Sequence, residues 1–115
     1  METERISIVT DEISRDLGEV RSFLDAHDLH AVELRCVGDG RVPDLAAADL
    51  ATLLAWSRAA EPRILSVSPG LFKCGHRDRE AIDHDLREVL PRALDLAGRL
   101  GARYLVAFSF ETLGE

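Results

Sequence analysis

The sequence predicts an α/β domain in which strands and helices alternate and the strands pair in parallel. Three observations carry that expectation. Four short apolar runs, Ile6-Ser7-Ile8-Val9, Ala31-Val32-Glu33-Leu34, Ile64-Leu65-Ser66-Val67 and Tyr104-Leu105-Val106-Ala107-Phe108, have the length of buried strands. Three longer stretches between them repeat apolar residues at three- and four-residue intervals, the period of a helix with one buried face. The order strand-helix, repeated three times and closed by a fourth strand, demands right-handed crossovers between parallel neighbours.

The first strand starts at Ile6 and reads as a nearly continuous apolar run, as strands do when both sheet faces are covered. The first helix runs from about Asp16 to His27. Leu17, Val20, Phe23 and Leu24 form its stripe, Asp16, Glu19, Arg21 and Asp25 fall elsewhere, and Ser14 reads as the N-terminal cap. His27 and His30 flank the turn into the second strand and read as structural. The second helix runs from about Ala47 to Ala60, with Leu50, Leu53, Leu54 and Ser57 on one stripe and Trp56 in the core. Glu61-Pro62 ends it, because the residue before proline is pushed out of the helical region. The third helix runs from about Arg79 to Leu100, burying Ile82, Leu86, Val89, Leu90, Leu94, Ala97 and Leu100. Pro91 lies inside it and costs about 3 kcal/mol in a helix interior, which predicts a kink or break there. Gly101 supplies the left-handed C-terminal cap.

Composition narrows the function classes. The 115 residues suit one domain, and 46% hydrophobic with 30% charged is a globular balance, not a disordered one. No apolar run approaches the ~20 residues of a membrane span, and Met1-Glu2-Thr3-Glu4 is no secretory leader. Fourteen basic against 21 acidic residues give a net charge of −7, which argues against a nucleic-acid partner. Two cysteines are too few for a disulfide scaffold, and a cytoplasmic location is expected.

Two architectures fit the element order: an open doubly wound sheet and an arc of a (β/α)8 barrel. The turn after the first strand, Thr10-Asp11-Glu12-Ile13-Ser14, holds no glycine. Gly38-Asp39-Gly40 lacks a third glycine and a following helix, so nucleotide binding is disfavoured and the barrel arc is favoured.

Functional groups in either fold collect at the C-terminal strand ends, and here those ends are polar. Glu33 is the sharpest candidate, a charge inside an apolar strand that serves either as a general base or as half of an ion pair with Arg35 or Arg5. Asp11 and Glu12 follow the first strand, as substrate contacts or as acids favoured by the first helix dipole. Lys73 is the only lysine, either a point charge for phosphate or carbonyl oxygen or an exposed loop cation. Cys36, Cys74, His76 and His84 lack zinc-finger spacing, so no metal site is assigned. No serine-histidine-acid signature occurs, and acid-base or metal-assisted chemistry on a polar small molecule fits better than acyl transfer.

Several segments together resemble the sugar phosphate isomerases/epimerases of the xylose-isomerase-like barrel superfamily. They are Ile6 through Ser14, Ala31-Val32-Glu33-Leu34-Arg35, Ser68-Pro69-Gly70-Leu71-Phe72-Lys73-Cys74, and Leu100 through Phe110. The resemblance implies a (β/α)8 barrel that moves a proton next to the carbonyl of a sugar or sugar phosphate, assisted by Mn2+, Mg2+ or Zn2+. Glu33 matches the family's second-strand glutamate and is expected to be catalytic. Asp11, Glu12, Arg35, Phe72, Lys73 and Ser109 are expected to contact substrate. The family's Glu, Asp, His and Glu metal ligands lie on strands beyond the fourth, so none is assigned here. The chain is therefore expected to form the N-terminal half of a barrel of ~250 residues. It would be a fragment, a homodimer or one of two complementary half-barrels, and a non-catalytic module binding polyols or phosphates is the alternative. An endonuclease of the same superfamily is disfavoured by the acidic balance.

Overall fold

A computed structural model describes residues 5–111; the Met1–Glu4 segment lies outside them. The strands are β1 (Ile8–Val9), β2 (Ala31–Leu34), β3 (Cys36–Val37), β4 (Gly40–Arg41), β5 (Arg63–Leu71) and β6 (Tyr104–Ala107). The helices are α1 (Leu17–Ala26), α2 (Ala47–Ala59), α3 (Arg79–His84) and α4 (Leu90–Leu100). A 3-10 turn covers Thr10–Glu12, and a π-helical turn, Asp85–Val89, joins α3 to α4. The chain is α/β. Its four-stranded sheet has the order β1-β2-β5-β6 with every neighbouring pair parallel, and the expected apolar runs supply all four strands. β5 is longer than expected and runs on through Ser68-Pro69-Gly70.

One core sits between this sheet and the helices. Leu17, Val20 and Leu24 of α1, Leu53 and Trp56 of α2, and Leu96, Ala97 and Leu100 of α4 pack with Val32, Leu34, Ile64 and Val67. Val32 and Leu34 flank Glu33, and successive side chains of a strand point to opposite faces, so Glu33 lies on the face away from these helices. Ser66 joins it there. An extra residue in β5 shifts the register between Val32 and Glu33, so that Val32 pairs with Ile64 but Glu33 with Ser66.

The first helix departs from expectation at its start. Asp16, not Ser14, is the N-cap, and its side chain accepts from the Glu19 N–H at 3.0 Å. Ser14 instead accepts from the Asp16 N–H and donates its hydroxyl to Glu19. The second helix ends as expected before Pro62, with Ala60 left-handed at its C-cap.

The third helix is broken earlier than expected. Pro91 offers no N–H to a carbonyl one turn back, and its ring crowds that carbonyl. The chain opens into a π turn just before it, in which the Leu90 N–H reaches the Asp85 carbonyl. The wider turn rotates every later residue about the helix axis. Ala97 and Leu100 are buried as expected and are joined by Ala93 and Leu96, while Leu94 after the turn and Leu86 within it, both expected in the stripe, are exposed at 55% and 47%. Gly101 takes the left-handed cap as expected, with φ 70°.

The β3–β4 hairpin is an element the periodicity does not predict. Gly38-Asp39 turns between two strands of two residues each, too short to register as a hydrophobic pattern. Its effect is to carry Arg41 back over the end of β5, where its Nη2 donates to the Ser68 carbonyl.

Candidate functional site

The C-terminal ends of the parallel strands gather most of the polar groups singled out in the sequence, in three separate sets. The first forms because β1 ends directly in the 3-10 turn, which places Asp11 and Glu12 beside the residue that follows β2. That residue is Arg35. Its Nε donates to Asp11 Oδ1 and Oδ2 at 3.2 and 3.1 Å, and its Nη2 to Asp11 Oδ2 at 2.8 Å. A weaker contact, 3.3 Å, runs from Nη2 to Glu12 Oε1. The Cys36 N–H completes the cradle at 3.4 Å from Asp11 Oδ1. Burial pushes the Asp11 carboxyl up, but the hydrogen bonds from Arg35 and Cys36 and the guanidinium charge outweigh it and leave it below its ordinary value. Helix α1 begins only at Leu17 under its own Asp16 cap, so Arg35 and not the helix dipole holds these two acids.

Glu33 stands apart from that set. Its Oε1 accepts from the Ser66 hydroxyl at 2.8 Å across the β2–β5 pair, and Arg35, one of its expected partners, is engaged by Asp11 and Glu12. Ser66 is 5% exposed, so a hydroxyl that would otherwise be buried unmet is satisfied by the carboxylate. Ser66 was not among the residues the sequence marks as candidates. The visible signal was a small polar residue interrupting an apolar strand.

The third set lies between the loop after β5 and the tail after β6. Phe72, left-handed at φ 62°, donates its N–H to Asp85 Oδ2 at 2.8 Å. Its ring packs against Phe110 with centroids 5.3 Å apart. Lys73 Nζ sits 5.2 Å from the Phe108 ring centroid, a cation–π contact in place of a carboxylate pair. The Phe108 and Glu111 N–H groups donate to the Leu71 and Cys74 carbonyls and stitch loop to tail. Ser109 is exposed in that tail and makes no side-chain hydrogen bond among the described residues.

Two buried side-chain atoms at this end of the sheet lack partners, Thr10 Oγ1 and Arg41 Nε. Neither residue stood out in the sequence, because threonine after a strand and arginine in a loop are both commonplace. Among the described residues, no three His, Cys, Asp or Glu side chains converge to hold a metal ion. The donor set therefore does not fit the divalent metal that the resemblance implies. Cys74 is a free thiol whose ionisation burial pushes up, helped by the Asp78, Asp85 and Glu111 charges. A surface cleft of about 590 Å³, lined by His76, Arg79, Glu80, Ile82 and Asp83, contains none of the expected site residues. Its acid and base groups are exposed, so the strand ends remain the better candidate.

No helix among the described residues is long and apolar enough to cross a membrane. Comparison of the chain with protein-family models, with curated proteins and with solved structures returned no match.

Proposed function

We propose that this chain is half of a sugar phosphate isomerase/epimerase-like (β/α)8 barrel, with Glu33 as the group that moves a proton next to a substrate carbonyl. The observation that carries this reading is the placement of Glu33. It lies mid-strand on the face opposite the helix-packed core, half-buried and hydrogen-bonded to Ser66. A carboxylate so held is oriented while one oxygen stays free of the Ser66 bond. It would take the proton from the carbon beside the carbonyl, leaving the electron pair delocalised onto the carbonyl oxygen, and return it to complete isomerisation or epimerisation. Arg35, pinned by Asp11, and Lys73 would contact the polar end of the substrate. No step is assigned to a metal.

The strand order agrees with this reading. Consecutive strands lie side by side and α1, α2 and α4 pack against one face of the sheet, as helices do on a barrel wall. A doubly wound sheet instead reverses its order and places helices on both faces.

The test is proton exchange in heavy water. The full chain is incubated with ketose phosphates, with and without Mn2+, and loss of the carbon-bound proton is followed by NMR. Exchange that Glu33→Gln abolishes supports the proposal. Exchange that this change leaves unaltered removes Glu33 from the chemistry. No exchange at all favours the second reading, a non-catalytic half-barrel that pairs with another copy or a complementary half.

One observation favours that second reading specifically. β6 is an edge strand, and Tyr104, Phe108 and Phe110 in and after it are exposed at 55%, 41% and 38%. Sedimentation of the chain as a monomer at micromolar concentration would count against self-pairing.

A further inference from the structure

The described chain contains three half-buried arginines, and two of them are neutralised. Arg21 meets Asp25 at 3.1 Å and Arg35 meets Asp11 at 2.8 Å. Arg41 meets no carboxylate among the described residues. The hydrogen bond from its Nη2 to the Ser68 carbonyl, 3.3 Å, leaves Nε buried without a partner. A half-withdrawn charge and an unmet donor both cost stability, which makes their survival at one residue informative.

The seat for this guanidinium is built by the backbone. The β5–β6 register slips between Val67 and Leu71, where β5 carries Ser68-Pro69-Gly70. Pro69 has no N–H for the ladder, and Gly70 sits at φ +80°, a conformation that disfavours a side chain. The Arg41 Cζ, Nη2 and Nε atoms lie 3.1–3.2 Å from where a Gly70 Cβ would stand. The missing side chain is therefore the space that the guanidinium occupies. The β3–β4 hairpin brings Arg41 to this seat at the functional end of the sheet.

We propose that Arg41, seated on Gly70 at the end of β5, binds a small oxyanion, the phosphate or carboxylate group of a small molecule. A guanidinium fork matches both groups, and either supplies the missing counter-charge. The chain's net charge of −7 gives no general attraction for anions, so binding here is a property of the local seat. The inference rests on the surroundings of Arg41 alone. Where the reading of Glu33 also holds, the substrate carries such a group.

The test follows the Arg41 Nε–H resonance of the full isotope-labelled chain while inorganic phosphate or, separately, acetate is added. A saturable shift with either anion supports the site, and the anion that produces it identifies the group recognised. Arg41→Gln is expected to weaken binding at least about tenfold, and Gly70→Ala to weaken it by displacing the guanidinium. Arg58→Gln, an exposed position on α2, is expected to bind as the wild type does. An Arg41 resonance unmoved by both anions overturns the proposal, as does unchanged phosphate affinity in Arg41→Gln. The wild-type titration decides the matter even if a variant fails to fold, and it is independent of any proton exchange by Glu33.

Discussion

The two faces of the sheet are made from alternate residues of the same strands, yet they are held by different forces. Toward α1, α2 and α4 the strands present Val32, Leu34, Ile64 and Val67, each at 3% exposure or less. Toward the other side they present Glu33 and Ser66, which satisfy each other, and Tyr104, which pairs in register with Ser66. Burial of apolar area stabilises the first face and is indifferent to direction. Specific hydrogen bonds hold the second, and each fails if one partner is removed. The first face makes the fold. The second is free to carry chemistry.

That contrast can be broken in graded steps. Leu34→Ala, at a fully buried position, is expected to cost about 2–5 kcal/mol in urea unfolding, because the packed core collapses only partly around the cavity. Asp11→Asn is expected to cost about 1 kcal/mol, since it weakens a bidentate, charge-assisted pair at the partly exposed Arg35. It also tests a pH dependence. The folded carboxyl of Asp11 titrates below its unfolded value of 3.8, so its contribution is full above about pH 4 and is lost as pH falls through the folded value. Asp11→Asn should therefore flatten the acid limb of the stability curve.

Ser66→Ala is expected to cost no more than about 1 kcal/mol, with Glu33 keeping access to water. If it proved as damaging as Leu34→Ala, the two faces would not differ as described. The smallest effect belongs to His30, far from both, which bridges Glu61 and Asp28. Its hydrogen bonds to the Glu61 and then the Asp28 carboxylate raise its ionisation above 6.5. Its contribution is full below that value and is lost as pH rises through the folded one. Thermal melts of the wild type between about pH 6 and pH 8 should fall slightly, and those of His30→Gln should be flatter.

Much of this was legible because burial imposes a period. β2 falls where the apolar run placed it, and α1 and α2 lie within a residue or two of expectation. The third helical span, its break near Pro91 and the burial of Ala97 and Leu100 were legible too, but Leu86 and Leu94 were misplaced because a constant period was extended through Pro91. The π turn resets the phase, and Asp85, which opens that turn, bonds the distant Phe72 N–H. The site was legible in its charges but not in its partners. Asp11, Glu12 and Arg35 were all expected, yet nothing local says that the two acids would hold the arginine. Arg41 was invisible because its importance depends on a hairpin of two-residue strands and on a glycine in another strand. Contacts between segments distant in sequence leave no periodic trace.

The extra residue in β5 has a consequence of its own. Before it, Ile64 faces the helices; after it, Val67 does, three positions later rather than two or four. Leu65 thus acts as a frameshift in side-chain orientation, exchanging inside for outside in everything downstream. Were β5 to pair without the bulge, Leu65 would stand opposite Glu33, Ser66 would turn into the core and Val67 away from the helices; deleting Leu65 would instead leave a regular strand in which Ser66 and Val67 keep their present faces. The position of Ser66 opposite Glu33 therefore depends on the bulge that absorbs Leu65.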